Sequence, residues 1–196
     1  MGRRSDHSRV ELEAMIVAQG HRLLAETGFA GFSAREVARR VGYSVGTVYN
    51  LFDSLDHLLT AINGRTFELW TDYLRARVER SRGDRIHALV QAYFDFAREH
   101  PKLWMAIYDH RLPEGMTMAD EDMQKRRALT QIVFDEIARE LPARSETDVE
   151  HLARSLIATV HGHCTYELNG SFALMGEKDP VGLALGRVRE AIAAAR

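Results

Sequence analysis

Hydrophobic side chains recur every three to four residues along most of the chain, the spacing typical of helices with one buried face. Only four prolines interrupt the 196 residues. Capping residues, glycines and these prolines divide the pattern into segments of helical length. The pattern predicts an all-α protein with about nine helices, at about residues 9–26, 34–41, 45–51, 54–80, 85–100, 101–111, 119–141, 146–168 and 181–195.

The second and third predicted helices are short and are joined by a tight turn. Ser33 and Glu36 have the spacing of a capping box, Gly42 can end the first helix in a left-handed conformation, and Ser44 can cap the second. Val48 then points inward. This arrangement indicates a helix-turn-helix, whose second helix can enter a DNA major groove. The alternative is a helical hairpin that binds no nucleic acid, because such hairpins are common.

The same stretch resembles the DNA-binding module of the tetracycline-repressor (TetR) family of bacterial regulators. The matching residues run from Ser8 to Leu59 and include Glu26-Thr27-Gly28-Phe29, Arg35-Glu36-Val37-Ala38, Gly42-Tyr43-Ser44, Gly46-Thr47-Val48-Tyr49 and Phe52. The resemblance implies a three-helix helix-turn-helix DNA-binding domain over residues 8–68. It also implies a helical ligand-binding and dimerisation domain over residues 69–196.

By this resemblance, the operator contacts come from the third helix and from the start of the second. Arg35 is the candidate for bidentate hydrogen bonding to guanine, and Val45 for contact with a thymine methyl group. Thr47 and Tyr49 are expected to bind phosphates. The full set of predicted DNA contacts is Ser33, Arg35, Ser44, Val45, Gly46, Thr47, Tyr49 and Asn50.

Two positions depart from the family pattern. Leu51 and Leu55 stand where relatives often carry basic or histidine side chains that touch phosphates. Arg3, Arg4 and Arg9 are the candidates to replace that charge.

The predicted second domain is rich in aromatic side chains, which the resemblance assigns to a small-molecule pocket. Such pockets are mostly apolar with a few polar anchors. Trp104 and Tyr108 are the leading candidates, since they lie four apart and combine a flat ring with a polar tip. The alternative is that each aromatic fills the core. The predicted effector contacts are Phe94, Trp104, Tyr108, Phe134 and His161.

The run His161-Gly162-His163-Cys164 contains residue types that bind zinc. Two residues apart on a helix, the histidines point away from each other. His161 and Cys164, three apart, could share an ion, but no further paired ligand stands nearby in the sequence, so we predict no metal. We also predict no cofactor. With Val160, the run resembles a C-terminal domain type named for a Trp-His-Gly motif, although valine replaces its tryptophan.

The last two long helices are predicted to form a homodimer. The final helix carries an apolar stripe and two glycines, Gly182 and Gly186, four apart. The alternative is that this helix covers only its own domain. Its stripe consists of Val181, Leu185, Val188 and Ile192.

Charge and cysteine content narrow the class of protein. The net charge of −2 is unevenly distributed, because residues 1–52 contain seven basic and five acidic side chains. Such a small excess suits a dimer that also depends on base contacts. One cysteine, no leader pattern and no long apolar run predict a cytoplasmic protein that does not enter membranes.

The predicted function is transcriptional regulation, most simply repression. A dimer would bind a palindromic double-stranded operator and be released by a small-molecule effector. A dimeric DNA-binding protein without an effector is one alternative, and an all-α enzyme is another. No nucleophile motif, phosphate-binding loop or zinc-protease motif supports the enzyme.

Overall fold

The structure is a computed structural model that describes residues 7–196. Ten α-helices and no strand occur in this range, which confirms the all-α prediction and adds one helix to the number expected. None of these helices combines the length and the apolar character needed to cross a membrane. The helices are α1 (Arg9–Thr27), α2 (Ala34–Val41), α3 (Val45–Phe52), α4 (Leu55–Arg80), α5 (Arg85–Glu99), α6 (Pro101–Asp109), α7 (Asp120–Glu140), α8 (Glu146–Leu168), α9 (Ser171–Leu174) and α10 (Pro180–Ala195).

Side-chain caps begin several of these helices, because the first backbone N–H groups of a helix have no partner within it. At α1 the capping box is complete: the Glu11 N–H donates to Ser8 Oγ, and the Ser8 N–H donates to the Glu11 carboxylate at 2.7 Å. The additional helix, α9, is a single turn in the connection between α8 and α10, for which the sequence pattern predicts no helix. Single cap hydrogen bonds are made by Ser44, Asp84, Ser145 and Asp179.

The chain packs as two compact units. The first contains the residues up to Glu68 together with Lys102–Arg126, and the second contains Leu69–Pro101 and Arg127–Arg196. The segment 102–126, expected in the second domain, thus groups with the helix-turn-helix. The functional domains 8–68 and 69–196 stay a prediction.

The core of the first unit joins α1, α2 and α3 to the start of α4 and to α6. Ile16 of α1, Val37 of α2 and Val48 of α3 are fully buried in it. Leu103 and Ala106 bring α6 into the same cluster. Burial of each such side chain contributes about 1.5–3 kcal/mol, so these contacts fix the angle between the two short helices.

In the second unit α10 packs against α8 and α5, and α5 packs against α8. Trp70 of α4 stacks on Phe96 of α5 with the ring centroids 5.0 Å apart. The apolar stripe of α10 lies inside this core, so its own unit covers it. The buried stripe residues are Val181, Leu185, Val188 and Ile192.

Candidate nucleic-acid interface

The turn between α2 and α3 reverses the chain within three residues. Gly42 ends α2 at φ 78°, ψ 23°, a left-handed conformation that glycine adopts without steric cost. The Tyr43 N–H then donates to the Ala38 carbonyl at 3.0 Å. Ser44 starts α3 by accepting a hydrogen bond from the Thr47 N–H at 3.1 Å. The predicted helix-turn-helix therefore forms, with the expected glycine and serine at the two ends of its turn.

The outer face of α3 exposes three of the eight residues predicted to contact DNA. Tyr49 is 40% exposed, and Gly46 and Asn50 are also exposed. Among the described residues, a Cβ on Gly46 would meet only Ser44 Oγ, at 3.6 Å, so none of them requires glycine there. Val45 differs, because it is half-buried against the core of the first unit. The surface in front of Gly46 is open to close approach from outside the unit.

The prediction that Ser33 and Glu36 form a capping box at the start of α2 is wrong. Ser33 has the backbone angles of a cap but makes no side-chain hydrogen bond to the helix. Glu36, its expected partner, instead accepts hydrogen bonds from Arg39 at 2.7 Å and from Arg40 at 3.0 Å. Two charged donors compete better for this carboxylate than one backbone N–H. Ser33 remains exposed at the start of α2.

The same ion pairs separate the arginines of α2 into two kinds. Arg40 also pairs with Glu26 of α1, at 2.6 Å. Hydrogen bonds from Arg39 and Arg40 lower the pKa of Glu36 from 4.5 to about 2. Arg35 is exposed, and no hydrogen bond or ion pair to it occurs within residues 7–196. It is therefore the cation of α2 that has all of its donors available within the described residues.

The connection from α3 to α4 contains a backbone feature that the sequence did not reveal. Asp53 has φ 59° and ψ −40°, and it is the one residue other than glycine with positive φ in the described range. Such conformations cost side-chain-bearing residues about 1–3 kcal/mol. Ser54 follows, and its Oγ accepts the His57 N–H at 3.1 Å. The turn thus holds an acidic residue under strain at the end of α3.

Comparison with known proteins identifies the family of this chain. The family model described as "Bacterial regulatory proteins, tetR family" matches residues 16–62. The model described as "Tetracyclin repressor-like, C-terminal domain" matches residues 86–184, about half of the chain. The chain belongs to the TetR family. Its matched models and relatives are regulators and not enzymes, which confirms that prediction.

Individual proteins are similar to this chain in sequence or in fold. The HTH-type transcriptional regulator Rv1816 of Mycobacterium tuberculosis is 32% identical over 142 residues, 70% of this chain and 60% of that protein. The chain therefore spans less than two thirds of the length of this relative. A solved structure of a protein with unknown function from Rhodococcus sp. RHA1 superimposes with a TM-score of 0.73, at 21% identity and 98% coverage of both chains.

A further solved structure contains a ligand. The transcriptional regulator FadR from Bacillus subtilis, in complex with stearoyl-CoA, gives a TM-score of 0.65 at 13% identity, over 93% of this chain and 98% of that one. At this identity the likeness shows the shared fold alone. The Trp-His-Gly subtype suggested by Val160 and the residues after it stays a prediction.

In this TetR-family chain, the predicted effector contacts are divided between the two units. Trp104 and Tyr108 belong to the first unit, with ring centroids 5.2 Å apart, and Trp104 is fully buried. Phe94, Phe134 and His161 belong to the second. Phe94 is also fully buried, whereas Phe134 lines a surface groove between α7 and α8. The five effector contacts therefore stay a prediction.

The second unit contains a small apolar cavity of about 40 Å³. Tyr93 of α5 and Val160 of α8 both line it. The Tyr93 hydroxyl lies 3.1 Å from Nδ1 of His161, and burial lowers the pKa of this histidine. The tyrosine and histidine together offer a neutral hydrogen-bonding pair beside an apolar lining. The other lining residues include Leu74, Ile86, Leu89, Val90, Ile137 and Leu156.

The surroundings of the neighbouring cysteine do not activate its thiol. Cys164 is fully buried, and burial raises the pKa of its thiol to about 12. A thiol in this state is a poor metal ligand, since metals bind the thiolate. Within residues 7–196, no three His, Cys, Asp or Glu side chains are grouped as metal ligands.

Proposed function

We propose that this chain is a cytoplasmic, homodimeric transcriptional repressor that binds a palindromic operator through α3 and is released by a small-molecule effector. The observation that carries the proposal is the outer surface of the helix-turn-helix. There, Gly46, Tyr49 and Asn50 are exposed on α3, and Arg35 on α2 has no partner within the described residues. Exposed polar side chains on α3 and a guanidinium on α2 with all of its donors available are suited to contacts with base edges and phosphates.

Two copies are needed because one helix-turn-helix reads too few base pairs for useful specificity. The α10 stripe is covered by its own unit, so the contact between copies must use other faces. Gly162 of α8 and Gly186 of α10 have open space around their missing Cβ atoms, and Leu183 and Tyr166 are exposed apolar side chains on the same helices. These features support pairing of α8 and α10 across a two-fold axis.

Effector control would act through α4. This helix is continuous from Leu55 to Arg80 and contributes residues to both units. A ligand bound in the second unit could therefore alter the first by favouring one tilt of α4. To change the operator from mostly occupied to mostly free, the effector must prefer the non-binding state by about 10⁴-fold.

Selection of duplexes from a randomised pool by the full chain tests the DNA-binding part. The expected outcome is an inverted repeat with half-sites about one helical turn apart, bound by two protomers as measured by sedimentation. Recovery of no consensus, with equal affinity for all duplexes, would contradict the proposal.

A thermal-shift screen with small apolar and aromatic compounds tests the effector part. A ligand at 100 times its Kd should stabilise the folded chain by about 2.7 kcal/mol. The same compound should release the selected duplex. Stabilisation without release, or no stabilising compound at all, would favour a dimeric DNA-binding protein without an effector.

A further inference from the structure

The C-terminal end of the proposed reading helix has no cation of its own. The α3 residues, Val45–Phe52, are uncharged, and the next five residues include Asp53 and Asp56. Phosphates approaching this end of α3 would meet the exposed carboxylate of Asp53, whereas the Asp56 carboxylate lies 3.1 Å from His110 Nε2. Because phosphate contacts supply much of the affinity for DNA, the end of a reading helix is a costly place for a net negative charge.

Arg9, at the start of α1, extends to this end of α3. Its Nη2 donates to the backbone carbonyl of Leu51 at 3.4 Å, across 42 residues of sequence. Its Nε donates to the Glu13 carboxylate one turn along α1, at 2.8 Å. The side chain remains 68% exposed. Arg9 thus contacts the end of α3 while most of its side chain faces solvent.

The geometry leaves Arg9 able to bind a further anion. A guanidinium has five N–H donors in a planar fork, and the two contacts use two of them. The three that remain match the spacing of phosphate oxygens, and orientation by Leu51 and Glu13 lowers the entropy lost on binding. A positive charge is also favoured at the C-terminal end of a helix.

We infer that Arg9 is a DNA-contacting residue, which binds a backbone phosphate beside the C-terminal end of α3. This inference rests on the proposed function and assigns a role outside the helix-turn-helix. Arg3 and Arg4 lie outside the described residues, whereas Arg9 has a defined position. A phosphate held there would fix the register of α3 in the groove without reading sequence.

The magnitude follows from counterion release. Each neutralised phosphate adds about 0.9 to the slope of log affinity against log salt concentration. Relative to 1 M salt, one contact is therefore worth about eight-fold in affinity at 0.1 M salt. A dimer that loses Arg9 from both protomers should bind about 60-fold more weakly, with a slope reduced by about 1.8.

The test measures fluorescence anisotropy of a duplex from the selection above at several salt concentrations. Arg9→Ala and Arg9→Gln should both lower the salt slope by about 1.8, the glutamine showing that the charge and not the side-chain stem is responsible. Arg75→Ala is the matched control, since Arg75 is another exposed arginine that pairs with an acid on its own helix, Asp72, but lies in the second unit. It should leave the slope unchanged.

The outcomes separate the inference from the proposed function. If the wild-type chain binds no duplex, the proposed function fails and the role of Arg9 fails with it. If the wild-type chain binds while both Arg9 variants keep the wild-type slope, only the role of Arg9 is overturned. An arginine that merely stabilises α1 through Glu13 would shift the melting temperature by circular dichroism without moving the slope.

Discussion

Asp53 offers a prediction in which strain and charge can be measured separately. It holds positive φ at the end of α3, where a residue with a Cβ costs about 1–2 kcal/mol more than glycine in backbone energy. Glycine also loses about 0.5–1 kcal/mol because it has more freedom in the unfolded chain. Asp53→Gly should therefore stabilise the folded chain by a net amount of about 0–1.5 kcal/mol.

The same carboxylate lies on the surface that DNA is proposed to approach. One unit charge about 10 Å from a phosphate in water is worth about 0.4 kcal/mol. Its removal should tighten DNA binding about two-fold per protomer and about four-fold per dimer. Asp53→Asn should show this gain without a change in stability, because asparagine tolerates positive φ about as well as aspartate.

Asp53→Ala completes the set, since it removes the charge but keeps a Cβ and lacks a polar side chain suited to positive φ. It should gain the same DNA affinity as the asparagine variant while losing stability relative to the glycine variant. Urea unfolding followed by circular dichroism and anisotropy with the selected duplex measure the two effects. An alanine variant more stable than the glycine variant would refute strain at this turn, because without strain the extra freedom of glycine in the unfolded chain favours alanine. Unchanged affinity in all three variants would refute the proximity of this turn to DNA.

Three further predictions concern the helix-turn-helix and the effector contacts. Arg35→Ala should cost about 1–3 kcal/mol of operator binding and relax the preference at one position per half-site, and an unchanged selection profile would remove Arg35 from base reading. Glu36→Gln should remove a stabilisation that the wild-type chain has in full above pH 4.5 and loses as the pH falls through about 2. If the free energy of unfolding of variant and wild type has the same pH dependence between pH 4.5 and 2, the pairing of Glu36 with Arg39 and Arg40 is contradicted. Trp104→Ala should lose about 3–5 kcal/mol of stability, because the ring is fully buried. Tyr108 is 40% exposed, so Tyr108→Ala should fold and alter the response to the effector. Normal release of DNA by the effector in the folded Tyr108 variant would exclude Tyr108 from the effector site.

Helix ends were the part of this structure most open to prediction from sequence. Ser8, Ser44 and Asp84 act as the caps their positions indicate, because capping depends on groups within three residues. The predicted capping box at Ser33 is wrong because of residues more than three positions away. The hydrogen bonds of Glu36 with Arg39 and Arg40, one helical turn further on, took the carboxylate that the capping box required.

Contacts between distant segments explain what the sequence could not supply. The grouping of α6 with the helix-turn-helix depends on Leu103 and Ala106 joining a core cluster whose other members lie more than 40 residues earlier in the chain. The position of Arg9 likewise depends on a carbonyl 42 residues away. Hydrophobic periodicity indicates that a helix has a buried face, but it does not identify the neighbour that covers it.

The measurement that tests the central claim most directly is photo-crosslinking from α3 to DNA. A benzophenone side chain placed at Thr47 of the full chain should crosslink to bases at symmetric positions in both half-sites of the selected duplex. The same probe placed at Arg75 should give no crosslink. Crosslinks from the Arg75 position with none from Thr47, in a chain that still binds the duplex, would contradict docking of α3 in the groove.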